Sequence, residues 1–379
     1  MKKHLSSLLI CLGLTAIPAL GQATPGVTAK TIVIGQSAPL SGPAQELGTA
    51  FRNGARAYFD HVNAAGGVAG RQIVLKTLDD GYDAERAAKN TQALIDKDGV
   101  FALFGYIGTP AANAALPLVG KEGVPFFAPF SGARTLREPF NENIFNVRAS
   151  YATETEKIVE NLTAINVKHI AVFYQNDADG KAGLEGVQHA LKKRGLDTML
   201  TATVEHNSVD VGGAVAKMKH AKPQAIIMVS AYTSCAAFVR AIRKDEDWNP
   251  YLSNISLVGS QSLSNALGEE GRGVMISQVV PLPFDDRVPV VKEYHQYFLT
   301  NPEREAGFVS MEGYLSAKVL VEGLKRAGAA LSREGFVKAI HSMSTYDAGG
   351  FLVHFGPNDH NASDFVDLTV LSEGGKFSH

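Results

Sequence analysis

Apolar residues along the chain fall into short runs that alternate with longer amphipathic stretches. Runs at 31–37 (TIVIGQS), 72–78 (QIVLKTL), 101–104 (FALF), 124–128 (VPFFA), 168–174 (KHIAVFY) and 225–230 (AIIMVS) are rich in β-branched and aromatic residues, the pattern of strands packed on both faces. Between them, residues 48–63, 84–96, 111–122, 181–194, 211–220 and 236–243 have helical spacing. In the first of these, Ala50, Phe51, Gly54, Ala55, Ala57, Tyr58 and Val62 supply the packed face. Such alternation predicts an α/β protein with parallel sheets wrapped by helices. It pauses after residue 134, passes through an extended segment at 144–148 and a helix opening at Ser150 or Thr153, and restarts at 168. Strands at 199–204 and 257–259 complete a second unit of the same plan, with no repeat of fixed period. An extended, proline-bearing segment at 274–283 precedes helices at 287–301, 310–327 and 332–342. A closing hairpin is predicted from strands 351–355 and 365–371.

Residues 100–134 are the chemically suggestive part of this pattern. Two successive strands exit into turns made of small and hydroxyl-bearing residues: Gly105–Tyr106–Ile107–Gly108–Thr109–Pro110, then Pro129–Phe130–Ser131–Gly132–Ala133–Arg134. In an open α/β sheet the carboxyl edge of the strands is where ligands bind. Backbone N–H groups, Thr109 and Ser131 would there face a small polar or anionic group near a helix N-terminus. Ordinary βα turns share this composition, and at this point both readings stand.

With 379 residues, 45% hydrophobic and 20% charged, the chain has the composition of a globular protein of about two domains. A net charge of −2 argues against nucleic acid or an anionic membrane surface as the main partner. Lys2, Lys3 and His4 precede an apolar core at 8–20, and Gly21–Gln22–Ala23 offers small residues where a signal peptidase reads, so export with cleavage after Ala23 is predicted. The core is too short for a membrane span, and Ile10 before Cys11 does not fit a lipoprotein site. Cleavage leaves Cys235 as a lone cysteine, read as a small buried hydrophobe.

Other motifs carry structural readings. Gly66, Gly67 and Gly70 follow a helix and precede a strand, the wrong order for a phosphate loop, and read as a helix stop. Asp83 in Asp79–Asp80–Gly81–Tyr82–Asp83 reads as a helix N-cap in preference to a metal ligand. The loop 175–180 resembles a calcium loop but places Gly186 where the final carboxylate is required. The 11 histidines show no metal spacing, and no nucleophile–base pair is visible.

The segments IVIGQSAPLSGPAQELG, GARAYFDHVNAAGGVAGRQIVLKTLDD, LFGYIGTP, VPFFAPFSGA and FNVRASYATET, in this order and spacing, resemble the Leu/Ile/Val-binding proteins. These are exported type I solute-binding proteins of ATP-binding-cassette importers, and the likeness covers essentially the whole chain after residue 23. It implies two doubly wound lobes joined by three hinge crossings, placed near Arg148, Val279 and Tyr346. The first lobe is then 24–148 plus 279–346 and the second 149–278 plus 347–379. It also implies a small-molecule ligand captured by hinge closure, a permease partner, a monomer in the periplasm, and no catalysis, cofactor or metal. By the same resemblance Thr109 binds a ligand carboxylate, Phe130, Ser131 and Gly132 supply further contacts, Tyr106 and Gly108 frame the turn, and Tyr232 is a cleft tyrosine. Tyr314 is similar to a first-lobe tyrosine, with helix packing as its other reading.

The departures bear on the ligand. Gln261 stands where amino-acid-binding members carry the acid that holds the ligand ammonium, Asp179 replaces a common aromatic, and Leu47 stands at a frequent cleft aromatic. A neutral Gln261 forfeits a charge-assisted hydrogen bond worth about 1.5–3 kcal/mol. Either Asp179 takes over the ammonium from the opposite wall, or the ligand lacks one and is an amide or organic carboxylate. An exported sensor of the same fold is the alternative function. A hydrolase using Ser41, Ser131 or Asp179 is the enzymatic one.

Overall fold

A computed structural model describes residues 24–378. The expected signal sequence, the expected cleavage after Ala23 and Cys11 lie outside the described residues. The first sheet is built from β1 (Thr31–Ala38), α1 (Gln45–Ala64), β2 (Gln72–Asp79), α2 (Ala84–Asp96), β3 (Ala102–Phe104), α3 (Thr109–Glu122), β4 (Phe126–Phe127) and β5 (Ile144–Phe145). All five strands are parallel, in the order β2-β1-β3-β4-β5. The winding direction reverses between β1 and β3, so the turn at Gly105–Thr109 lies at the switch point of the sheet.

The chain then crosses into α4 (Tyr151–Ala164), β6 (Ile170–Gln175), α5 (Ala178–Lys192), β7 (Thr201–Val204), α6 (Gly212–Ala221), β8 (Ala225–Val229), α7 (Tyr232–Arg243), β9 (Tyr251–Asn254), α8 (Ser260–Leu267) and β10 (Met275–Gln278). It returns to the first lobe as α9 (Pro289–Phe298), α10 (Phe308–Ala327), α11 (Arg333–His341) and the small hairpin β11 (Tyr346–Asp347) and β12 (Leu352–Val353). β13 (Asp367–Leu371) and β14 (Phe377–Ser378) finish the second sheet, whose order is β14-β13-β10-β9-β8-β6-β7. Its switch point lies between β6 and β8, so the loop after β6 faces the equivalent edge of the first sheet.

Local chemistry explains the helix starts. Asp83 accepts from Arg86 N at 2.8 Å, Ser150 from Thr153 N at 3.1 Å and Asp177 from Gly180 N at 3.0 Å. The calcium-like loop thus uses Asp177 as a cap. After α1, Gly66 and Gly67 take φ of +101° and +76°, and Gly67 N donates to Val62 O at 2.9 Å, a helix stop.

Three expectations are corrected. The strand expected at 257–259 is a 3₁₀ turn over Ser256–Val258, and the strand itself is β9, which pairs with β8 from Tyr251 and Ala225 onward. Its Ser253 and Asn254 are fully buried polar residues, which hid it from a hydrophobic reading. Residues 351–355 and 365–371 do not pair with each other: β12 pairs with β11, and β13 with β10 and β14. The last crossing also lies later than Tyr346. Asn146 N donates to His360 O and Ala362 N to Asn146 O, both at 2.8 Å, and the Phe355 ring packs 6.1 Å from Phe145. The apolar positions Phe351, Val353 and Phe355 hold this segment on the first lobe until Ala362.

Candidate functional site

The two turns singled out in the sequence are zipped together. Phe130 N donates to Tyr106 O at 2.8 Å and Gly108 N to Phe130 O at 3.1 Å. Thr109, the first residue of α3, is hydrogen-bonded through Oγ1 to Ser131 Oγ at 2.7 Å, and both are buried. Gly108 has φ +84°, and a Cβ there would lie 2.7 Å from the Tyr82 ring and 2.8 Å from Asp179 Oδ2. Gly132 is equally confined, since a Cβ would fall 2.4 Å from Tyr151 N.

The second lobe meets this turn through Asp179, which is fully buried in the first turn of α5. Its Oδ1 accepts from Thr109 N at 2.8 Å, from Tyr151 OH at 3.0 Å and from Thr109 Oγ1. Its Oδ2 accepts from Tyr82 OH at 2.9 Å. Burial, reinforced by nearby Asp177, pushes the Asp179 carboxyl up to about 6 against the opposing pull of Thr109 and Tyr82. Asp179 therefore lies on the Thr109 turn, among hydroxyl and N–H donors.

Beside it, His206 spans the lobes. Nδ1 lies 2.6 Å from Asp177 Oδ2 and Nε2 lies 2.6 Å from the Tyr82 carbonyl oxygen, with the ring stacked on Tyr82 at 4.8 Å. The Gln175 amide borders the same pair. Acceptors at both ring nitrogens favour the imidazolium, and they outweigh burial, which alone would lower the pKa; the net shift is upward. A group whose pKa is raised by folding stabilises below its unfolded value near 6.5 and loses that contribution as pH rises through the folded value. His206→Gln is therefore expected to cost about 1.5 kcal/mol at pH 6 and progressively less above neutrality. Melting curves of both proteins from pH 6 to 9 check this; a pH-independent difference contradicts it.

At the first crossing, Arg148 is enclosed. Its guanidinium stacks 4.2 Å over the Phe130 ring, Nε lies 3.0 Å from Glu312 Oε1, and Nη2 donates to Ser256 Oγ at 2.5 Å. Glu154 accepts from Ser256 N at 2.8 Å and Ser277 Oγ at 2.6 Å. Burial raises Glu312 to about 7, with Arg148 opposing and Glu154 adding to the rise. Tyr82, Tyr151, Arg148 and His206 are the site neighbours that sequence reasoning missed. Tyr82 takes φ +65° in an acidic turn, a conformation uncommon for a non-glycine residue that only the structure reveals.

Other expected residues are placed as follows. Tyr232 opens α7 and faces the Glu46 backbone across the cleft. Leu47 is buried against Gly259, where a Cβ would lie 2.3 Å from Leu47 Cδ2. Gln261 Nε2 donates to Asn265 Oδ1 at 2.9 Å and Glu305 Oε1 at 3.1 Å, in a groove of about 230 Å³ that Glu46 and Asn53 also line. Three residues have other roles. The Tyr106 ring points into the first-lobe core, 5.0 Å from Phe126 with its hydroxyl 3.0 Å from Thr91 Oγ1, so only its backbone serves the turn. Ser41 is exposed and donates to Asp79 at 2.6 Å, tying down its own loop. Tyr314 donates to Glu293 at 2.7 Å and packs on Tyr58, a core role. Cys235 is buried and unpaired.

Between the lobes a cavity of about 360 Å³ is lined by Gly132, Arg134, Arg137, Tyr151, Glu185 and His189, within the size range of small-molecule sites. Arg134 and Glu185 bridge it at 3.0 Å. Among the described residues no cluster of His, Cys, Asp or Glu could hold a metal, and no helix is long and apolar enough to cross a membrane.

Residues 31–376 match the family model described as periplasmic binding protein. A curated relative, Leu/Ile/Val-binding protein homolog 7 of Brucella abortus, is 25% identical over 95% of this chain and 92% of its own. The crystal structure of a possible leucine/isoleucine/valine-binding protein from Rhodopirellula baltica superposes with a TM-score of 0.88 at 34% identity, covering 94% of this chain and 97% of that one. A substrate-binding periplasmic protein from Ralstonia solanacearum gives 0.85 at 31%, covering 90% and 98%. Two doubly wound lobes, a cleft at their facing switch points and a match over nearly the whole chain agree: the chain belongs to the periplasmic binding proteins of Leu/Ile/Val-binding type, a family of solute binders and not of enzymes.

Proposed function

We propose that the protein captures a small polar organic solute (an amino acid, amide or organic carboxylate) between its lobes and delivers it, as a monomer, to the permease of an ABC importer. Export would follow from the leader, with cleavage after Ala23. The observation that carries the reading is the meeting of the Thr109 and Ser131 turn with Asp179 of the other lobe, while Tyr232 of that lobe faces the Glu46 backbone, so that solute contact depends on closure. Relatives named for branched-chain amino acids, and a fold neighbour from Thermomonospora curvata named as a fatty acid ABC transporter substrate-binding protein, support the transport role and leave the solute class wide.

A thermal-shift screen against amino acids, amides and organic carboxylates tests it. A solute at a hundred times its Kd stabilises by about 2.7 kcal/mol. Thr109→Ala and Tyr232→Ala are each expected to weaken binding about ten-fold, the loss of one hydrogen bond to a solute-contacting turn, while the fold is retained. Unchanged affinity in both would move the site elsewhere.

A further inference from the structure

Resting on the solute-binding reading, we propose that Asp179 is the specificity determinant of the cleft: its carboxylate occupies the seat a ligand carboxylate would take, so the cleft selects a solute that presents an N–H donor, such as a primary amide, and no carboxylate, to the Thr109 turn. The seat is defined by its donors. Thr109 N–H, Thr109 Oγ1 and the Tyr151 hydroxyl surround Oδ1, and the Tyr82 hydroxyl reaches Oδ2. These converge from the first lobe and from the start of α4, and all of them are turned as donors toward the carboxylate, so they offer a donor-bearing ligand no charged acceptor of their own. Asp179 converts them into one. A carboxylate oxygen accepts two hydrogen bonds, so Oδ2 keeps capacity for a further donor beyond Tyr82.

A ligand carboxylate brought to the same place would meet a buried like charge competing for the same donors, the arrangement in which two carboxylates cannot both ionise. The neighbouring cation does not relieve this. Arg148 is already paired to Glu312 and Ser256, and His206 to Asp177 and the Tyr82 carbonyl oxygen. The opposite end of the cleft points the same way. Gln261, at the position of the ammonium-holding acid, directs its amide to Glu305 and Asn265. Both points that the resemblance assigns to a zwitterionic amino acid are thus altered in this chain. Discrimination by an occupied seat works through repulsion of the wrong ligand as much as attraction of the right one.

Matched amide–carboxylate pairs on one skeleton (isobutyramide and isobutyrate, isovaleramide and isovalerate, benzamide and benzoate) test this by thermal shift with the full protein and its Asp179→Ala and Asp179→Asn variants. The wild type is expected to respond to amide members only. Asp179→Ala vacates the seat and is expected to gain at least about ten-fold in carboxylate affinity, the repulsive element being gone. Asp179→Asn keeps the seat filled but removes the charge, so a smaller gain in carboxylate affinity, from the lost repulsion alone, is expected there and keeps the test open should the alanine variant not fold. A wild type stabilised by a carboxylate as strongly as by its amide overturns the inference and leaves solute capture standing. Variants that gain no carboxylate binding overturn it as well, and a protein that no small organic solute stabilises in any form overturns both readings.

Discussion

Replacing Arg148 by methionine is expected to destabilise the protein by about 3–5 kcal/mol, the cost of stranding buried charge. Glu312 pairs with this guanidinium and Glu154 is linked to it through Ser256, all three are buried, and Glu312 is already pushed up to about 7 with the cation in place. Without it, Glu312 must take up a proton or draw water into the hinge. Urea unfolding would register the loss, and for lobes of this size a melting point lower by roughly 10 °C accompanies it. Removing the partner at the same time, as Arg148→Met with Glu312→Met, is expected to recover most of the stability, because an apolar pair replaces a desolvated ionic one. A single variant as stable as the parent would mean that the hinge network carries little.

The second large effect is expected at two glycines. Helices α1 and α10 touch backbone to backbone: a Cβ on Gly54 would lie 1.8 Å from Ser310 O, and one on Gly313 would lie 2.1 Å from Phe51 O. Neither obstacle is a side chain that can rotate away. Gly54→Ala and Gly313→Ala are each expected to cost about 3 kcal/mol, at the upper end for overpacking, since the whole helix must shift. The two together should cost less than their sum, because one separation of the helices relieves both contacts. Gly120→Ala is the control: it is exposed on α3 with nothing within 4 Å of the added methyl. It should raise stability by about 0.5–1 kcal/mol through helix propensity alone. Denaturant midpoints of the four variants check the set.

Much of the fold was legible because strands buried on both faces and capped helices leave local marks. The helix at 84–96 matches Ala84–Asp96, because Asp83 announces its start. Strand β9 was not legible: its buried Ser253 and Asn254 look like a loop, while the apolar run after it forms a turn. The late third crossing was hidden because pairing of residues near 360 with Asn146 is a tertiary fact.

In the site, Thr109 and Ser131 could be singled out because hydroxyls follow apolar runs at a sheet edge. Their partner Asp179 lies 70 residues from Thr109, and only closure of one lobe on the other brings it there. The carboxylate was legible as a departure from a family pattern, but which wall it would serve was not. Tyr106 shows the converse limit. It belongs to the right turn, yet its ring faces the core, and turn composition says nothing of ring direction.

The interleaving of the lobes has a consequence for how the protein is made. Arg148 finds Glu312 only after 164 further residues have been synthesised, and Arg333, which holds the Phe101 carbonyl at 3.0 Å, lies 232 residues downstream of it. The first lobe lacks α10, α11 and its last hairpin until synthesis has passed Ala362, and the second lacks β13 until still later. A growing chain therefore holds two unfinished cores, and contacts this distant in sequence form slowly. In a member of a periplasmic family, such a topology delays completion of either core until nearly the whole polypeptide is available.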